Sequence, residues 1–441
     1  MDRETLEKLA AYPRVIVAWR GDDGYPVQTA ARFRVDASKG ELRIERTGLA
    51  LPTDREVNIV ASHIRPQPGV GYDQRRYLSL WGSLAAEGDE MVLRSARSWG
   101  WDENVTPFFE YVERSNRQAK RYLGQLSRER GVPVKPRLSP VWTFLLATRL
   151  PFLTATVVPI LLGVAVAANE GFFDIGFAVL TLLAGAAIHI GLNVANDVFD
   201  TLSGADDANY NPTQFSGGSR VIQRGLLSLR QMAAISATAY AVGASLGLYL
   251  VIERESPELL AIGVIGVLIS VFYTAPPLRL VHRGLGEMTT GIGFGPVMVM
   301  GAYAVQAQKL SAEALIASVP VAIMIALVLY VNEIPDRAAD ASAGKRTLPV
   351  RMSREAVTRG FLLAAVSGII PRPTLLALLA VPLAFKVYQG IREHYESPYE
   401  LMTAMGQNVQ LHLMSGLLLF GGYMVSVLAT ELLDSPPGIL T

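Results

Sequence analysis

The sequence predicts an all-α polytopic membrane bundle of about nine transmembrane helices, preceded by a small soluble domain that is mainly β. Of the 441 residues, 50% are hydrophobic and 18% are charged. The mean hydropathy is +0.29, which is too apolar for an ordinary soluble enzyme. Long apolar runs follow one another from Val141 onward, whereas the chain before Val134 has none that would cross a bilayer.

Charge and cysteine content exclude several classes of function. The formal net charge of +1 gives no general attraction to nucleic acid, so we expect no nucleic-acid partner. The chain has no cysteine, which excludes disulfides, thiolate metal sites and a cysteine nucleophile. The first residues, MDRETLEKLAAYPRV, include acids and no continuous apolar core, so we expect no signal peptide.

Residues 1–130 are predicted to form the soluble domain. Residues 14–48 alternate apolar and polar side chains and are interrupted by GDDGYP and DASKGE, which is typical of antiparallel hairpins. Residues 75–97 repeat the alternation, and residues 103–130 have apolar side chains at helical spacing. A linker over residues 131–140 then leads to the first apolar run.

We expect nine spans in the predicted membrane domain, residues 141–433, because each apolar run approaches the ~20 residues that a bilayer requires. These runs cover residues 141–168, 175–195, 230–252, 258–275, 287–305, 312–333, 355–370, 373–391 and 409–430. The seventh and eighth are short and are joined only by IPRP.

Basic residues predict the orientation of the bundle. Those in the loops after even-numbered spans are Arg220, Arg224, Arg279, Arg283, Arg337, Lys345, Arg346, Arg351 and Arg354. The opposite side holds little beyond Arg254, Lys309 and Arg372. The positive-inside rule places the richer loops in the cytoplasm, and an odd number of spans places the N-terminal domain there too. Arg128, Arg130, Lys135 and Arg137 precede the first span as a juxtamembrane basic segment, which agrees with that placement.

An acidic cluster follows the second apolar run directly. In NDVFDTLSGADDANYNPTQFSGGSRVIQRG, residues 196–225, Asp197 and Asp200 are three residues apart, and Asp206 and Asp207 follow. Residues three or four apart share one face of a helix, so two of these carboxylates can face one cation.

A second acidic cluster ends the sixth run, where VNEIPDRAADASAGKRTLPV places Asp336 and Asp340 four residues apart. Hard oxygen ligands of this kind suit Mg²⁺, which proteins commonly hold with a few carboxylates and substrate phosphates. Two such clusters facing each other predict two Mg²⁺ ions on a diphosphate. Basic residues nearby, together with the glycines of SGGSR, would stabilise the departing pyrophosphate; these are Arg220, Arg224, Lys345 and Arg346.

Either cluster alone has a simpler explanation, because acidic side chains often cap or solvate a helix end. The two clusters together, with glycines and basic residues in loops on one membrane face, favour a functional site.

The motifs of these loops resemble the UbiA superfamily of intramembrane prenyltransferases, whose first motif reads NDxxDxxxD or a near variant and whose second reads DxxxD. Here Gly204 occupies the last position of the first motif and the next acid is Asp206. That spacing, with GGSRVIQRG, YTAPP, RGLGE, GAYAVQ and GKRTLPV, is similar to the MenA type, the 1,4-dihydroxy-2-naphthoate polyprenyltransferases of menaquinone synthesis. TRLPFLTATVVPILLGVAVA resembles the usual first helix of that type.

The resemblance implies roles for individual residues. One Mg²⁺ would be held by Asn196, Asp197, Asp200 and Asp206, and the other by Asp336 and Asp340. The acids Asp197, Asp200, Asp336 and Asp340 would be the catalytic ones, and Arg220, Lys345 and Arg346 would bind the diphosphate. Further members of the pocket would be Arg149, Asn193, Tyr273, Arg279 and Asn332. Asn193 and Asn332 fit equally well as amides that pack between helices.

The reaction so implied is Mg²⁺-dependent transfer of a polyprenyl group from a polyprenyl diphosphate to an aromatic acceptor, 1,4-dihydroxy-2-naphthoate, with release of pyrophosphate. Other acceptors known for the superfamily stay open: 4-hydroxybenzoate, homogentisate, haem, a chlorophyllide and a glycerol phosphate ether. The residues also leave a secondary transporter open, although its acids would be expected near the bilayer midplane.

Residues 10–100 resemble the start of a pyridoxamine-phosphate-oxidase-like split barrel, the FMN-binding fold, through YPRVIVAWRGDDGYPVQTAARFRVD and REVNIVASHI. The resemblance implies an FMN that would handle the redox state of a quinol. A degenerate barrel that serves as a scaffold explains the same pattern. A membrane-anchored flavin oxidoreductase that acts on quinones is the corresponding alternative for the whole chain.

Overall fold

The computed structural model describes residues 3–36, 38–67, 71–106, 108–136, 138–209, 212–369 and 375–434. Arg137 of the basic linker and the IPRP junction at residues 370–373 lie outside the described residues. The chain forms two compact units. The first comprises Met1–Val112 and Gly124–Pro133, and the second comprises Glu113–Leu123 and Val134–Thr441.

The first unit contains a seven-stranded antiparallel sheet with the order β2-β1-β5-β6-β7-β4-β3. Its elements are α1 (Arg3–Ala10), β1 (Val15–Arg20), β2 (Pro26–Ala31), β3 (Phe33–Asp36), β4 (Glu41–Glu45), β5 (Val57–Gln67), β6 (Gly71–Glu87) and β7 (Glu90–Asp102). Both hairpins predicted from turn residues are confirmed, since β1 pairs with β2 and β3 pairs with β4.

The alternation of apolar residues explains which face of the sheet is buried. Val15 and Val17 of β1, and Leu42 and Ile44 of β4, lie in one apolar core. The sheet is strongly curved, because β2 and β3 are at opposite edges of the strand order although only Arg32 separates them in the chain.

Helix α2 (Phe108–Arg130) follows the sheet and contributes residues to both units. Within the first unit, Leu126 is buried, and the guanidinium of Arg130 donates to the main-chain oxygen of Asp22 at 3.1 Å. Residues 113–123 of the same helix belong to the second unit.

The described residues of the second unit form helices joined by loops, with no β-strand among them. Its helices are α3 (Pro140–Thr148), α4 (Thr154–Asn169), α5 (Ile175–Ser203), α6 (Ala205–Ala208), α7 (Leu229–Arg254), α8 (Pro257–Thr274), α9 (Gly286–Ile292), α10 (Met298–Ala307), α11 (Ala312–Asn332), α12 (Arg337–Ser342), α13 (Leu348–Arg351), α14 (Arg354–Ile369), α15 (Val381–His394) and α16 (Pro398–Asp434). A π-helical segment, Gly293–Val297, joins α9 to α10.

The prediction of about nine spans is not confirmed, because the described residues contain seven helices long and apolar enough to cross a membrane. These are Leu150–Asn169, Ile175–Ser203, Leu229–Arg254, Pro257–Thr274, Gly286–Ala307, Ala312–Asn332 and Glu400–Leu428. The seventh and eighth predicted runs fall short. Helix α14 has 16 residues and α15 has 14, about 24 and 21 Å of helix, whereas hydrocarbon is ~30 Å thick.

Helix α11 is apolar on all sides and packs against neighbouring helices through two buried clusters. Met324, Leu327, Tyr330 and Val331 pack in one buried cluster with α14, α15 and α16. Ala314, Ala317, Val321 and Ile325 pack in another with α4 and α10. This packing fixes the end of α11, at which the second acidic cluster begins.

Glycines allow the close approach of α9 and the π segment to α11. A Cβ atom on Gly295 would lie 2.4 Å from the Cβ of Ala322, and one on Gly291 would lie 3.0 Å from the carbonyl oxygen of Ala322. Larger residues at these two positions would force the helices apart.

Candidate active site

The first acidic cluster lies on the last turns of α5, which continues as a helix to Ser203. Asn196 and Asp200 share one face, and the Asn196 amide donates to Oδ2 of Asp200 at 3.2 Å. Asp197 is buried and accepts a hydrogen bond at 3.1 Å from the main-chain N–H of Ser219 and another from its hydroxyl. The helix then ends at Gly204, whose φ of 79° turns the chain into α6.

Asp206, the acid displaced from the usual position of the motif, is buried beside Gly218. A Cβ atom on Gly218 would lie 3.0 Å from Oδ1 of Asp197 and 3.2 Å from Oδ1 of Asp206. Gly218 also has a φ of 72°. Glycine is therefore required twice at this position, by the backbone conformation and by the two carboxylates that converge on it.

The second acidic cluster follows α11. Asp336 precedes α12 and accepts two hydrogen bonds of 2.8 Å, from the Asn209 side chain and from the main-chain N–H of Gly217. Asp340 lies on α12 and is buried. The loop after α6 is thus attached to the acids that follow α11.

Lys345 joins the two clusters. Its Nζ atom lies 2.7 Å from Oδ1 of Asp200 and 3.4 Å from Oδ1 of Asp340, and the side chain is 6% exposed. Because Asp200 and Asp340 are on different helices, this ammonium group shows that the two acidic helix ends face one pocket.

That pocket has a volume of about 180 Å³. The predicted site residues that line it are Arg149, Asn193, Asn196, Asp200, Asp206, Tyr273, Asn332, Asp336, Asp340 and Lys345. An apolar cavity of about 400 Å³ adjoins it between α5, α7, α8 and the segment from α9 to α10. His189, Leu192, Tyr273, Thr290 and Phe294 line both spaces, so the polar pocket and the apolar cavity adjoin each other at these side chains.

Four predicted residues lie elsewhere. Asp197 is held by Ser219, and its carboxylate is not part of the pocket wall. The guanidinium of Arg220 is bound to Glu113 at 2.5 Å. Arg279 and Arg346 are exposed outside the pocket wall.

Several residues of the site are not among those predicted from the sequence. Glu333 is buried in the wall of the pocket, and its Oε2 atom has no hydrogen-bond partner among the described residues. Its position next to Asn332, within VNEIPD, was a usable signal. Nothing in the sequence indicated that Asn209 and Gly217 would bind Asp336, because that contact is long-range.

The pocket carries more negative than positive charge. Burial raises the pKa of Asp340 to about 7, since the neighbouring carboxylates of Asp336 and Asp200 add to it and Lys345 opposes it only in part. Burial and the carboxylates of Asp200 and Asp197 likewise hold the pKa of Asp206 well above its usual range. Burial opposes the charge of Lys345, but Asp200 and Asp340 outweigh it and raise the pKa of that ammonium. Such a pocket favours a cation.

The residues fit Mg²⁺ by the chemistry of their donors, which are carboxylate and amide oxygens. Among the described residues, no three acidic or histidine side chains are grouped closely enough to hold an ion by themselves. Mg²⁺ usually takes one or two carboxylates, several waters and substrate phosphates, so the substrate would supply part of its ligands.

Comparison with known proteins identifies the family. The model of the UbiA prenyltransferase family matches residues 156–402, which is more than half of the chain. The chain belongs to the UbiA prenyltransferase family. It is therefore a prenyltransferase enzyme, and the resemblance read from the NDxxD and DxxxD motifs is confirmed.

Two relatives that match much of the chain have naphthoate-related names. The chain is 29% identical over 307 residues to the 2-carboxy-1,4-naphthoquinone phytyltransferase of Synechocystis, covering 66% of this chain and 96% of that protein. It is 32% identical over 224 residues to the 1,4-dihydroxy-2-naphthoate octaprenyltransferase of Mycobacterium tuberculosis, covering 49% and 74%. A UbiA homolog from Archaeoglobus fulgidus, solved with GPP and Mg²⁺, covers 63% of this chain and 99% of its own at 14% identity and a TM-score of 0.43.

Proposed function

We propose that this UbiA enzyme transfers a polyprenyl group from a polyprenyl diphosphate to 1,4-dihydroxy-2-naphthoate, with Mg²⁺ as its cofactor. The observation that carries the proposal is that two unlike spaces adjoin each other and share wall residues. The acidic pocket with Lys345 suits a metal-bound diphosphate, and the adjoining apolar cavity suits a hydrocarbon chain. The names of the two relatives support the naphthoate acceptor.

At the polar end, the acids Asp200, Asp206, Asp336 and Asp340 and the amide oxygen of Asn196 would hold two Mg²⁺ ions. Bound Mg²⁺ would neutralise the charge that develops on the leaving diphosphate. Lys345 is held by Asp200 and Asp340, so its ammonium group is already oriented and loses little freedom when the diphosphate enters. Arg149 lines the same wall and adds a second positive charge.

At the apolar end, the cavity would hold the isoprenoid chain. Leu248, Val264 and Leu268 line the cavity and are about half exposed, which in a bilayer means exposed to lipid. A long polyprenyl tail can therefore extend from the cavity into the membrane without meeting a closed wall. This explains why the active site of such an enzyme lies within a membrane bundle.

In the reaction, the allylic C–O bond breaks and its electron pair leaves with the diphosphate. Tyr273 and Phe294 line the junction of the two spaces, so their ring faces can stabilise the allylic cation while the apolar wall excludes water. The naphthoate ring carbon that bears the carboxylate attacks the cation. The bond to the carboxylate then breaks, CO₂ leaves, and its electron pair restores the aromatic ring.

We also propose that the acidic pocket and the first unit face the cytoplasm, as the distribution of basic residues predicts. Support comes from the position of the two acidic clusters, one on the last turns of α5 and the other directly after α11. Accessibility of single cysteines introduced into this cysteine-free chain to an impermeant thiol reagent would test the orientation.

The test of function is incubation of the detergent-solubilised enzyme with 1,4-dihydroxy-2-naphthoate and geranylgeranyl diphosphate, with and without Mg²⁺. We expect a prenylated, decarboxylated product by mass, and its loss with EDTA. If pyrophosphate is released only with 4-hydroxybenzoate or another aromatic acceptor, the naphthoate assignment is wrong and the family assignment stands.

Two adjacent aspartates provide a matched pair of variants. Asp206 is buried in the pocket wall, whereas the side chain of Asp207 is exposed. Asp206→Asn should lower kcat/KM roughly 10²-fold or more, because it removes a carboxylate from the metal site. Asp207→Asn should stay within about threefold of the wild type, since surface substitutions have small effects. Equal losses in both variants would contradict this assignment.

The FMN-binding split barrel remains a second proposal for the first unit. The curvature of its seven-stranded sheet supports a barrel, and residues 1–130 lie outside the part that the family model matches. If FMN binds, the purified full-length protein should take up added FMN and quench its fluorescence. Unchanged fluorescence would leave the sheet as a scaffold.

A further inference from the structure

An ion pair connects helix α2 to Arg220, in the loop after α6. Nη2 of Arg220 donates to Oε1 of Glu113 at 2.5 Å, and both side chains are only 3% exposed. The two residues are 107 positions apart in the chain. Glu113 belongs to the same compact unit as Arg220, although it precedes residue 156, where the match to the family begins.

A second contact from α2 reaches the same loop. Arg117, one helical turn after Glu113, donates to the main-chain oxygen of Asp207 at 2.6 Å. The Nε atom of Arg117 also lies 3.6 Å from Oε1 of Glu113, so Glu113 is shared by two guanidinium groups. Helix α2 thus contacts α6 at Asp207 and the loop after α6 at Arg220.

Arg220 also contacts an acidic residue of the pocket, Asp206. Its other terminal nitrogen donates to the main-chain oxygen of Asp206, which fixes the backbone next to that carboxylate. Arg220 has a φ of 62°, an uncommon conformation for a residue with a side chain. Its neighbour Ser219 donates to Asp197, and a Cβ atom on Gly218 would lie 3.0 Å from Asp197 and 3.2 Å from Asp206.

Removal of only one partner of the Glu113–Arg220 ion pair is costly. A buried guanidinium that loses its carboxylate keeps an uncompensated charge, and the surrounding loop must move to solvate it. The Asp206 carboxylate lies 3.9 Å from Nη1 of Arg220, so that movement would displace a predicted metal ligand.

We propose that Glu113 is a positioning residue of the active site, which acts through Arg220 to hold α6 and residues 216–220 in their metal-binding conformation. This inference rests on the proposed function, since it assigns a role in forming the site for metal and diphosphate. In this chain, a helix outside the family-matched region therefore contributes to the catalytic site.

The test measures metal binding rather than turnover. Binding of Mn²⁺ to the detergent-solubilised full-length protein, in the presence of inorganic pyrophosphate, is followed by electron paramagnetic resonance. Glu113→Gln should raise the Kd for Mn²⁺ roughly tenfold, as expected when one supporting residue of a metal site is removed. The matched control is Glu129→Gln, on the same helix, whose side chain is half exposed; it should change the Kd less than twofold.

The double variant Glu113→Gln/Arg220→Gln separates positioning from general destabilisation. If Glu113 acts through Arg220, the double variant should bind Mn²⁺ no more weakly than the weaker single variant. If Glu113→Gln does not fold, Arg117→Gln decides the question, because it keeps both Glu113 and Arg220 while it removes the guanidinium group that contacts Asp207 and Glu113. It should raise the Kd about threefold. In turnover assays the KM for the prenyl diphosphate should rise while that for the acceptor does not.

Each outcome separates this inference from the proposed function. Wild-type protein that binds no Mn²⁺ with pyrophosphate would overturn the metal site and this inference together. Wild-type binding that is unchanged in folded Glu113→Gln would overturn the inference alone. Additive losses in the double variant would also overturn it, since Glu113 and Arg220 would then act separately.

Discussion

Replacement of Lys345 by methionine tests the central contact of the site. Methionine keeps most of the side-chain length and removes the charge. At an effective dielectric constant of about 20, two unit charges 2.7 Å apart attract by about 6 kcal/mol, and 3.4 Å apart by about 5 kcal/mol. Desolvation of the buried groups offsets much of this attraction, so the net cost of breaking such a network is about 3–5 kcal/mol.

The variant should lose activity more than it loses structure. Without the ammonium group, kcat/KM for prenyl transfer should fall roughly 10²- to 10³-fold, as when one preorganised stabilising group is removed from an active site. The structural cost should depend on pH, because Asp340 has a pKa of about 7 and can take up a proton instead. Lys345→Met should therefore be closer to wild-type thermal stability at pH 6 than at pH 8.

The matched control is Lys309→Met, at the start of the turn before α11. Lys309 pairs with Glu170 at 3.0 Å, but its side chain is 50% exposed, so the pair is worth little. Its kcat/KM should stay within about twofold of the wild type. The reasoning is refuted if Lys345→Met keeps more than about a third of wild-type activity, or if Lys309→Met loses as much.

Two further predictions concern pH and the apolar cavity. The folded-state pKa of Asp340 is raised above its unfolded value, so the folded protein holds a proton that the unfolded chain releases. Without Mg²⁺, the free energy of unfolding should therefore fall as the pH rises from about 4 through about 7, by roughly 1 kcal/mol per pH unit for this group. Saturating Mg²⁺ should flatten that slope. A rise in the midpoint of thermal unfolding over the same pH range would contradict this prediction. Gly247→Leu should raise the KM for a long polyprenyl diphosphate about tenfold and leave that for geranyl diphosphate near wild type, because Gly247 lines the cavity and a Cβ atom there meets nothing within 4 Å. Gly421 is equally open but lies outside the cavity wall, so Gly421→Leu should leave the KM for both donors near wild type.

Local sequence patterns predicted much of this enzyme because they act over a few residues. Apolar runs identified seven helices that can span a membrane, and alternation with turn residues identified the hairpins of the first unit. The NDxxD and DxxxD spacings identified the family, since positions three or four apart on a helix share a face wherever the helix lies. The seventh and eighth runs misled the count, because hydropathy alone does not show where a helix breaks.

What the tertiary structure decided depends on distances between residues far apart in the chain. Lys345 and Arg346 are adjacent basic residues that the sequence alone does not distinguish. Packing places Lys345 between Asp200 and Asp340 and leaves Arg346 exposed. Arg220 reads as a diphosphate ligand in its motif, but a carboxylate 107 residues earlier binds it. The sequence by itself determined which chemistry is present at each helix end. Only the contacts of α6 with α5 and α12, and of Lys345 with Asp200 and Asp340, determined which of those groups face one another, because burial and charge pairing are properties of the assembled bundle.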